Sequence, residues 1–222
     1  MDYRVISTGS QGNAVVINGA VLIDCGVSFR AVEPFLKGIK LVLLTHIHGD
    51  HFKPSTLRRM AAERPLLRFA ACSWLMKPLL DLGVRVGQID LLEPDRMYDY
   101  GMVKVIPVSL VHDVPNCGYK LHFPAGEKML YATDTANLNG IFAPNYDLYM
   151  IESNYSDEEI QQRIQEKKAN GQYVYEYRVL GTHLSRAKCD DFFYRNVGPG
   201  SELVYMHEHH ERGGEADEGR AS

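Results

Sequence analysis

Four potential metal ligands are crowded into one short segment of the sequence. His46, His48, Asp50 and His51 follow directly after the apolar run 40–44, and loops at strand ends are where functional sites commonly lie. Neutral imidazole and carboxylate groups suit zinc, manganese or iron, and a dense cluster with an acidic member favours two ions over one. The alternative is a polar loop whose histidines make only hydrogen bonds, but surface loops rarely have this spacing by accident.

Short strands must hold this segment in place. Residues 3–8, 14–17 and 21–24 have the pattern of strands separated by turns, and residues 40–44 are typical of a buried strand. The Asn-Gly pair at 18–19 predicts a hairpin. The turn at 10–13 either approaches the metals or is a plain hairpin.

The remaining chain first alternates strands with helices and then becomes mostly strands. Helices are predicted over 28–36, 55–63, 73–82, 157–169 and 185–196, with Ser55 and Ser185 as candidate N-caps. Further strands are predicted over 67–71, 89–92, 103–108, 119–123, 129–131, 147–152 and 202–206. Strand-rich halves with flanking helices indicate an α/β sandwich, although other α/β arrangements would share this composition.

Composition limits the class of protein. The chain has 222 residues, of which 45% are hydrophobic and 23% charged, so one globular domain is expected over 1–211. Residues 212–222 are Gly-rich and charged and are expected to form a disordered tail. We expect a cytoplasmic protein without membrane contact, because the sequence has no long apolar run and no signal-peptide pattern at its start. The four cysteines are scattered and are expected to be reduced.

Charge gives little support for a broad nucleic-acid surface. The net charge is −4, and the lysines and arginines over 53–68 and 167–188 form no dense run. Tyr173, Tyr175 and Tyr177 alternate as on one face of a strand. They could stack on bases, or they could be exposed tyrosines of an edge strand.

The segment 46–51 resembles the H-x-H-x-D-H signature of the metallo-β-lactamase superfamily, which it matches at every specified position. The resemblance implies a four-layer αββα sandwich and two divalent ions, Zn or Mn. It also implies that His46 and His48 hold one metal and that Asp50 and His51 hold the second.

The resemblance also implies three later ligands. His112, after a strand, would complete the first site. Asp134, in an Ala-Thr-Asp-Thr string, would bridge both ions, and His207 would complete the second site. Each has an ordinary alternative: a hydrogen-bonded loop histidine for His112, a turn cap for Asp134, and competition from His209 and His210 for the place of His207.

Two ions about 3.5 to 4 Å apart can share a bridging hydroxide and stabilise an in-line displacement, which favours phosphodiesters. Asp50 is therefore also a catalytic candidate. In similar phosphodiesterases, such as the tRNA 3′-processing enzymes, an additional histidine contacts the phosphate or assists the leaving group. His183 matches that position, and Ser185 would cap a helix whose first amides could bind an anion. The alternative is a histidine beside a capped helix with no catalytic part.

Most of the chain is similar to the single-domain exonuclease family of the WalJ/YycJ type. The shared strings are 7–14, 23–26, 46–51, 112–113, 132–135, 152–154 and 183–185. The resemblance implies a DNA-acting nuclease, and the predicted function is that of an exonuclease that hydrolyses phosphodiester bonds of DNA or RNA. The chain departs from the family at 208–211 and in the abbreviated region 154–181. Glu152 and Asn154 would either support the ligands or lie on a solvent-facing turn. The other functions considered are hydrolysis of a small phosphodiester, such as a cyclic nucleotide or cyclic sugar phosphate, and a metal-binding interaction module without catalysis.

Overall fold

The computed structural model describes residues 1–207, and within that range the strands form two six-stranded sheets. The first sheet contains, in spatial order, β1 (Tyr3–Ser7), β2 (Ala14–Ile17), β3 (Val21–Ile23), β4 (Leu41–Leu44), β5 (Arg68–Cys72) and β6 (Ile89–Leu92). The second contains β7 (Tyr98–Asp99), β8 (Lys104–Leu110), β9 (Asn116–His122), β10 (Lys128–Ala132), β11 (Leu148–Glu152) and β12 (Glu202–Met206). The helices are α1 (Phe29–Leu36), α2 (Pro54–Glu63), α3 (Met76–Asp81), α4 (Asp157–Ala169), α5 (Glu176–Thr182) and α6 (Arg186–Asn196).

Both sheets are covered on both faces. In β4, Leu41 and Leu43 enter a core shared with the second sheet, while Val42 and Leu44 pack in an outer core with residues of α1, α2 and α3. Successive side chains of a strand point to opposite faces, so a strand that is buried on both sides is apolar throughout. β11 divides its side chains in the same way, between the shared core and an outer core that includes α6. The layers therefore run helix, sheet, sheet, helix.

Strand direction brings several strand ends to one edge of the sandwich. β3, β4, β5 and β6 are parallel, and so are β10, β11 and β12. β8 runs in the same direction as β10, because both are antiparallel to β9. The carboxyl ends of β8, β10, β11 and β12 therefore lie along the same edge of the second sheet.

Local sequence signals account for several turns and helix ends. The hairpin between β2 and β3 is confirmed, with Asn18 and Gly19 both at positive φ, 48° and 64°. Ser185 caps α6 as predicted, since its side chain accepts a hydrogen bond from the Lys188 amide. Ser55 is not a cap. α2 starts one residue earlier, with Lys53 at the N-cap, because Pro54 is well suited to the first helical position.

The predicted strand face of tyrosines is wrong. Tyr175 stands at the N-cap of α5 and Tyr177 lies inside that helix. The buried carboxylate of Glu176, between them, lies 2.5 Å from Lys167 Nζ on α4. This tertiary pairing outweighs the strand preference of alternating tyrosines.

The helices of residues 1–207 include none that is long and apolar enough to cross a membrane. The predicted tail over 212–222, and the alternative ligands His209 and His210, lie outside the described residues.

Candidate metal centre

A buried carboxylate organises the loop that follows β4. Asp24, fully buried, accepts hydrogen bonds from the Thr45 amide at 2.9 Å and from the Thr45 hydroxyl at 3.0 Å. It also accepts from His51 Nδ1 at 2.7 Å and from the Tyr131 hydroxyl at 3.2 Å. These donors satisfy a charge that would otherwise be costly to bury. They also fix the His51 ring, so that Nε2 points into the centre.

The turn before β2 also reaches this loop. Asn13 Nδ2 lies 2.8 Å from His51 Nε2, and the Asn13 amide donates to the Asp50 carbonyl at 2.6 Å. Gly26 passes so close that a Cβ placed there would lie 1.7 Å from the Asp50 carbonyl oxygen. Of the two interpretations of the turn at 10–13, the approach to the metal loop is the one that the structure shows.

Three imidazoles converge at one end of the centre. His46 Nε2 lies 3.2 Å from His48 Nδ1, and His112 Nε2 lies 3.3 Å from the same atom. His112 is oriented by Nδ1, which donates to the Thr182 carbonyl at 2.9 Å. Burial, with a smaller effect of His51, lowers the pKa of His46 to about 2. Burial likewise lowers the pKa of His112, so His46 and His112 offer the neutral imidazole nitrogens that a metal requires.

A second group lies beside the first. Asp50 Oδ2 is 3.8 Å from His51 Nε2 and 3.6 Å from His207 Nε2. His207 comes directly after β12, where its amide donates to the Thr8 hydroxyl at 2.7 Å. One candidate ligand atom from each of Asp50, His51 and His207 lies within 4.8 Å of the others.

Asp134 lies between the two groups. Its Oδ2 is 2.8 Å from His51 Nε2, and its Oδ1 is 3.2 Å from His207 Nδ1 and 3.9 Å from His112 Nε2. It follows β10 at a positive φ of 59°, a backbone conformation that aspartate adopts more readily than most residues. The structure thus brings together all seven side chains predicted as ligands, from segments spread over more than 160 positions of the chain.

The donor set fits divalent cations. Because His51 Nδ1 donates to Asp24, a neutral His51 turns the lone pair of Nε2 toward Asp134 Oδ2, and a cation or a proton must offset their repulsion. Burial opposes a proton on His51, yet Asp134 and Asp24 raise its pKa to about 10. The pKa of His207 is likewise raised against burial, chiefly by Asp134. The surrounding carboxylates therefore stabilise positive charge in this centre, and bound metal ions would supply that charge.

His183 lies beside the ligands in a pair with a buried glutamate. Its Nδ1 lies 2.5 Å from Glu152 Oε1, and Glu152 is fully buried at the end of β11. The amides of Thr135 and Leu184 donate to the other carboxylate oxygen at 2.8 and 3.2 Å, which holds Glu152 still. Of the two interpretations of Glu152, support of the site is the one that its burial and contacts show.

Two other polar residues do not line the cavity beside these ligands. Ser185, predicted to bind substrate, is fully buried and caps α6. His122, on β9, has its Nε2 2.7 Å from the Tyr146 hydroxyl.

The centre opens into a cavity of about 360 Å³. Its walls include Ser10, Asn154, Tyr175 and Arg178. Arg178 forms an ion pair with Asp113, whose Oδ1 lies 3.2 Å from His112 Nε2. Sequence reasoning gave Arg178 no specific role, because its partner lies 65 positions away in the chain.

Comparisons of the sequence with known proteins identify a family. Residues 20–173 match the family model described as a beta-lactamase superfamily domain. The anti-Pycsar protein Apyc1 of Paenibacillus xerothermodurans is 30% identical over 131 residues, covering 51% of this chain and 52% of that protein. The exodeoxyribonuclease YycJ of Bacillus anthracis is 21% identical over 173 residues, covering 68% of this chain and 65% of that protein. The chain thus spans between half and two thirds of the length of these relatives.

Solved structures show the same architecture. The metallo-β-lactamase fold protein YhfI from Bacillus subtilis superposes with a TM-score of 0.71 at 16% identity, covering 94% of this chain and 86% of that one. The short form of human tRNase Z gives a TM-score of 0.68 at 17% identity, covering 94% and 92%. The predicted metallo-β-lactamase fold is therefore confirmed.

Proposed function

Since the chain belongs to the beta-lactamase superfamily domain family, we propose that it is a two-metal phosphodiesterase, and specifically a nuclease that hydrolyses DNA or RNA. One observation carries the proposal: seven candidate ligands cluster beside the Glu152–His183 pair, and five of the ligands, together with His183, line one cavity. The exodeoxyribonuclease YycJ and the short form of human tRNase Z, to which the chain is similar, support the choice of substrate.

The two ligand groups would divide between two ions. His46, His48 and His112 would hold the first, Asp50, His51 and His207 the second, and Asp134 would contribute to both. Imidazole and carboxylate donors of this kind suit zinc or manganese. When bound, two such ions lower the pKa of a water molecule and stabilise the charge of an in-line displacement at phosphorus.

The chain's own residues would handle the protons. Asp50 is a partly exposed carboxylate at the cavity floor, with its side chain 23% exposed, and would accept a proton from the attacking water. His183 would donate a proton to the departing oxygen. Glu152 would stabilise the protonated ring through Nδ1 and keep it turned to the cavity.

Hydrolysis of a small phosphodiester, such as a cyclic nucleotide or a cyclic sugar phosphate, is the second candidate. The cavity of about 360 Å³ is of a size that holds a small molecule, and the net charge of −4 does not favour long polyanions.

A substrate panel tests the proposal. We expect the Mn²⁺-loaded or Zn²⁺-loaded protein to hydrolyse labelled single-stranded or double-stranded DNA, or RNA, in addition to bis-p-nitrophenyl phosphate. Turnover of only the small esters and cyclic nucleotides would reject the nuclease and favour the second candidate. Metal binding without turnover of any phosphodiester would favour a binding module.

Two ligand variants and one control locate the activity in the proposed centre. His46→Ala and Asp50→Ala should each abolish most of the turnover. His122→Ala removes a histidine of β9 that is hydrogen-bonded to Tyr146. This variant should retain the turnover. Full activity in the two ligand variants would refute the site assignment.

A further inference from the structure

The α4–α5 hairpin places aromatic rings at the mouth of the catalytic cavity. Tyr175 lines the cavity beside Arg178 and is 42% exposed. Tyr173, two residues earlier, is 86% exposed. The pKa of Arg178 is raised chiefly by its hydrogen bond to Asp113. We call Tyr173, Tyr175 and Arg178 the tyrosine ledge.

The Tyr175 ring is held in place by a cationic side chain of α4. Lys167 Nζ lies 3.7 Å from the ring centroid, and the same ammonium group is 2.5 Å from the buried Glu176 carboxylate. A cation over one face of an aromatic ring is attracted by the ring quadrupole. The ring is therefore fixed against α4 while part of its surface faces the cavity.

α5 connects the ledge rigidly to the metal ligands. The helix begins after Tyr175 and ends at Thr182, whose carbonyl accepts the hydrogen bond from His112 Nδ1. The rise of this segment is about 10 Å. Arg178, midway along it, is paired with Asp113 next to His112. The spacing between the ledge and the centre is thus fixed by bonds at both ends, and a nucleoside attached to a phosphate at the metals can reach the Tyr175 ring.

From this arrangement we propose that the tyrosine ledge is a nucleobase subsite, on which an unpaired base next to the scissile phosphate stacks against Tyr175. The proposal rests on the proposed phosphodiesterase activity and narrows it to single-stranded nucleic acid. A base in a duplex has both faces covered by its neighbours, whereas a base of a single strand can leave the stack and use an aromatic side chain instead.

A strand accounts for the ledge better than a single nucleotide does. A cyclic nucleotide would fill the cavity and reach Tyr175 but would leave Tyr173 bare, outside the cavity walls. A strand that extends beyond the cavity can present a further base to Tyr173, which is exposed and lies two residues from Tyr175 in the chain.

Binding measured by fluorescence anisotropy tests the subsite without relying on turnover. The probes are a labelled 12-nucleotide single strand with phosphorothioate linkages, the same backbone without bases, a blunt duplex and a labelled cyclic nucleotide, each added to the Mn²⁺-loaded full chain. We expect Tyr175→Ala to weaken binding of the base-bearing strand about 5- to 100-fold. Tyr175→Phe should restore it to within about twofold, because stacking requires the ring and not the hydroxyl.

The controls separate stacking from a structural effect. Tyr194→Ala removes a more exposed tyrosine on α6, 74% exposed and not part of the cavity wall, and should leave binding of the strand unchanged. An equal loss for the strand without bases would show that Tyr175 supports the fold rather than a base. A loss confined to cyclic nucleotide, or the same loss for duplex, would overturn the single-strand assignment.

The outcome is distinguishable from failure of the proposed function. If wild-type protein hydrolyses phosphodiesters but Tyr175→Ala binds the strand as tightly as wild type, only the ledge assignment is refuted. If no phosphodiester is hydrolysed while strand binding depends on the Tyr175 ring, the nuclease proposal fails and the subsite remains.

Discussion

Asp24 controls the geometry of the second ligand group without being a candidate ligand itself. Its carboxylate accepts from His51 Nδ1 and from both the amide and the hydroxyl of Thr45. A carboxylate in this position fixes the tautomer of the ligand histidine and raises its basicity. Asp24 would therefore act on a bound metal through His51.

We predict that Asp24→Asn lowers the affinity for the second metal about 10- to 100-fold, because an amide cannot serve as a charged acceptor for His51 Nδ1–H. The affinity is measured by titration of Zn²⁺ against a competing chelator. Asp90→Asn is the matched control. It changes a carboxylate on the edge strand β6 of the first sheet, where Asp90 is paired with Arg68. Equal affinity in the two variants would show that Asp24 only supports the loop.

A second residue-scale prediction concerns His183 and its partner. If His183 protonates the leaving group, His183→Ala and Glu152→Gln should slow hydrolysis of a nucleic-acid phosphodiester about 100-fold. They should slow hydrolysis of bis-p-nitrophenyl phosphate much less, because p-nitrophenolate departs readily without a proton. Metal content, measured in parallel, should stay at the wild-type value. A similar loss on both substrates would instead indicate that the pair merely supports the centre.

How far the sequence predicts these residues depends on where their partners lie. His46, His48, Asp50 and His51 are contiguous and match a signature, so the sequence identifies them directly. Asp24 is joined to Tyr131 across 107 positions, and no local pattern can express such a contact.

At the scale of elements, strand direction explains why distant segments meet. The candidate ligands Asp134 and His207 follow β10 and β12, and Glu152 ends β11. These three strands are parallel. The strands themselves could be predicted from apolar runs, and β12 was predicted with its observed bounds. The helix after Tyr175 could not be predicted in this way. Its Glu176 pairs with Lys167 of α4, and a contact of this kind is not visible in the local sequence pattern.

Gly26 gives the prediction that belongs to this scale. A Cβ at Gly26 would lie 1.7 Å from the Asp50 carbonyl oxygen, a backbone atom that can move only with the ligand loop. Gly26→Ala should therefore lower the free energy of unfolding by more than about 3 kcal/mol and should also reduce metal content. Thermal unfolding and metal analysis measure the two effects.

Gly49→Ala is the matched control, since Gly49 lies between two ligands of the same loop and a Cβ there would meet nothing within 4 Å. Gly49→Ala should keep the wild-type free energy of unfolding and the wild-type metal content. Similar behaviour of the two variants would mean that the contact between residues 26 and 50 does not hold the loop.

At the scale of the whole molecule, both candidate metal sites draw ligands from both sheets. His46 and His48 follow β4 of the first sheet, whereas His112 follows β8 of the second. Protein contacts join the sheets at the same place, since the Tyr119 hydroxyl on β9 donates to the Leu44 carbonyl at 2.5 Å. Bound ions would add a cross-link between the two halves, and they would neutralise carboxylates that otherwise repel one another.

Removal of metal should therefore destabilise the domain as a unit rather than loosen one loop. A ligand that binds only the folded state, at about 100 times its Kd, contributes about 2.7 kcal/mol. For a domain of this size we expect chelation to lower the Tm by about 5 to 10 °C, in a single transition monitored by far-UV circular dichroism. Mn²⁺ or Zn²⁺ should restore the Tm in wild type and in His122→Ala but much less in His46→Ala. A centre that joins the two sheets would be contradicted if chelation left the Tm unchanged. It would also be contradicted if metal shifted the Tm of His46→Ala as much as that of wild type.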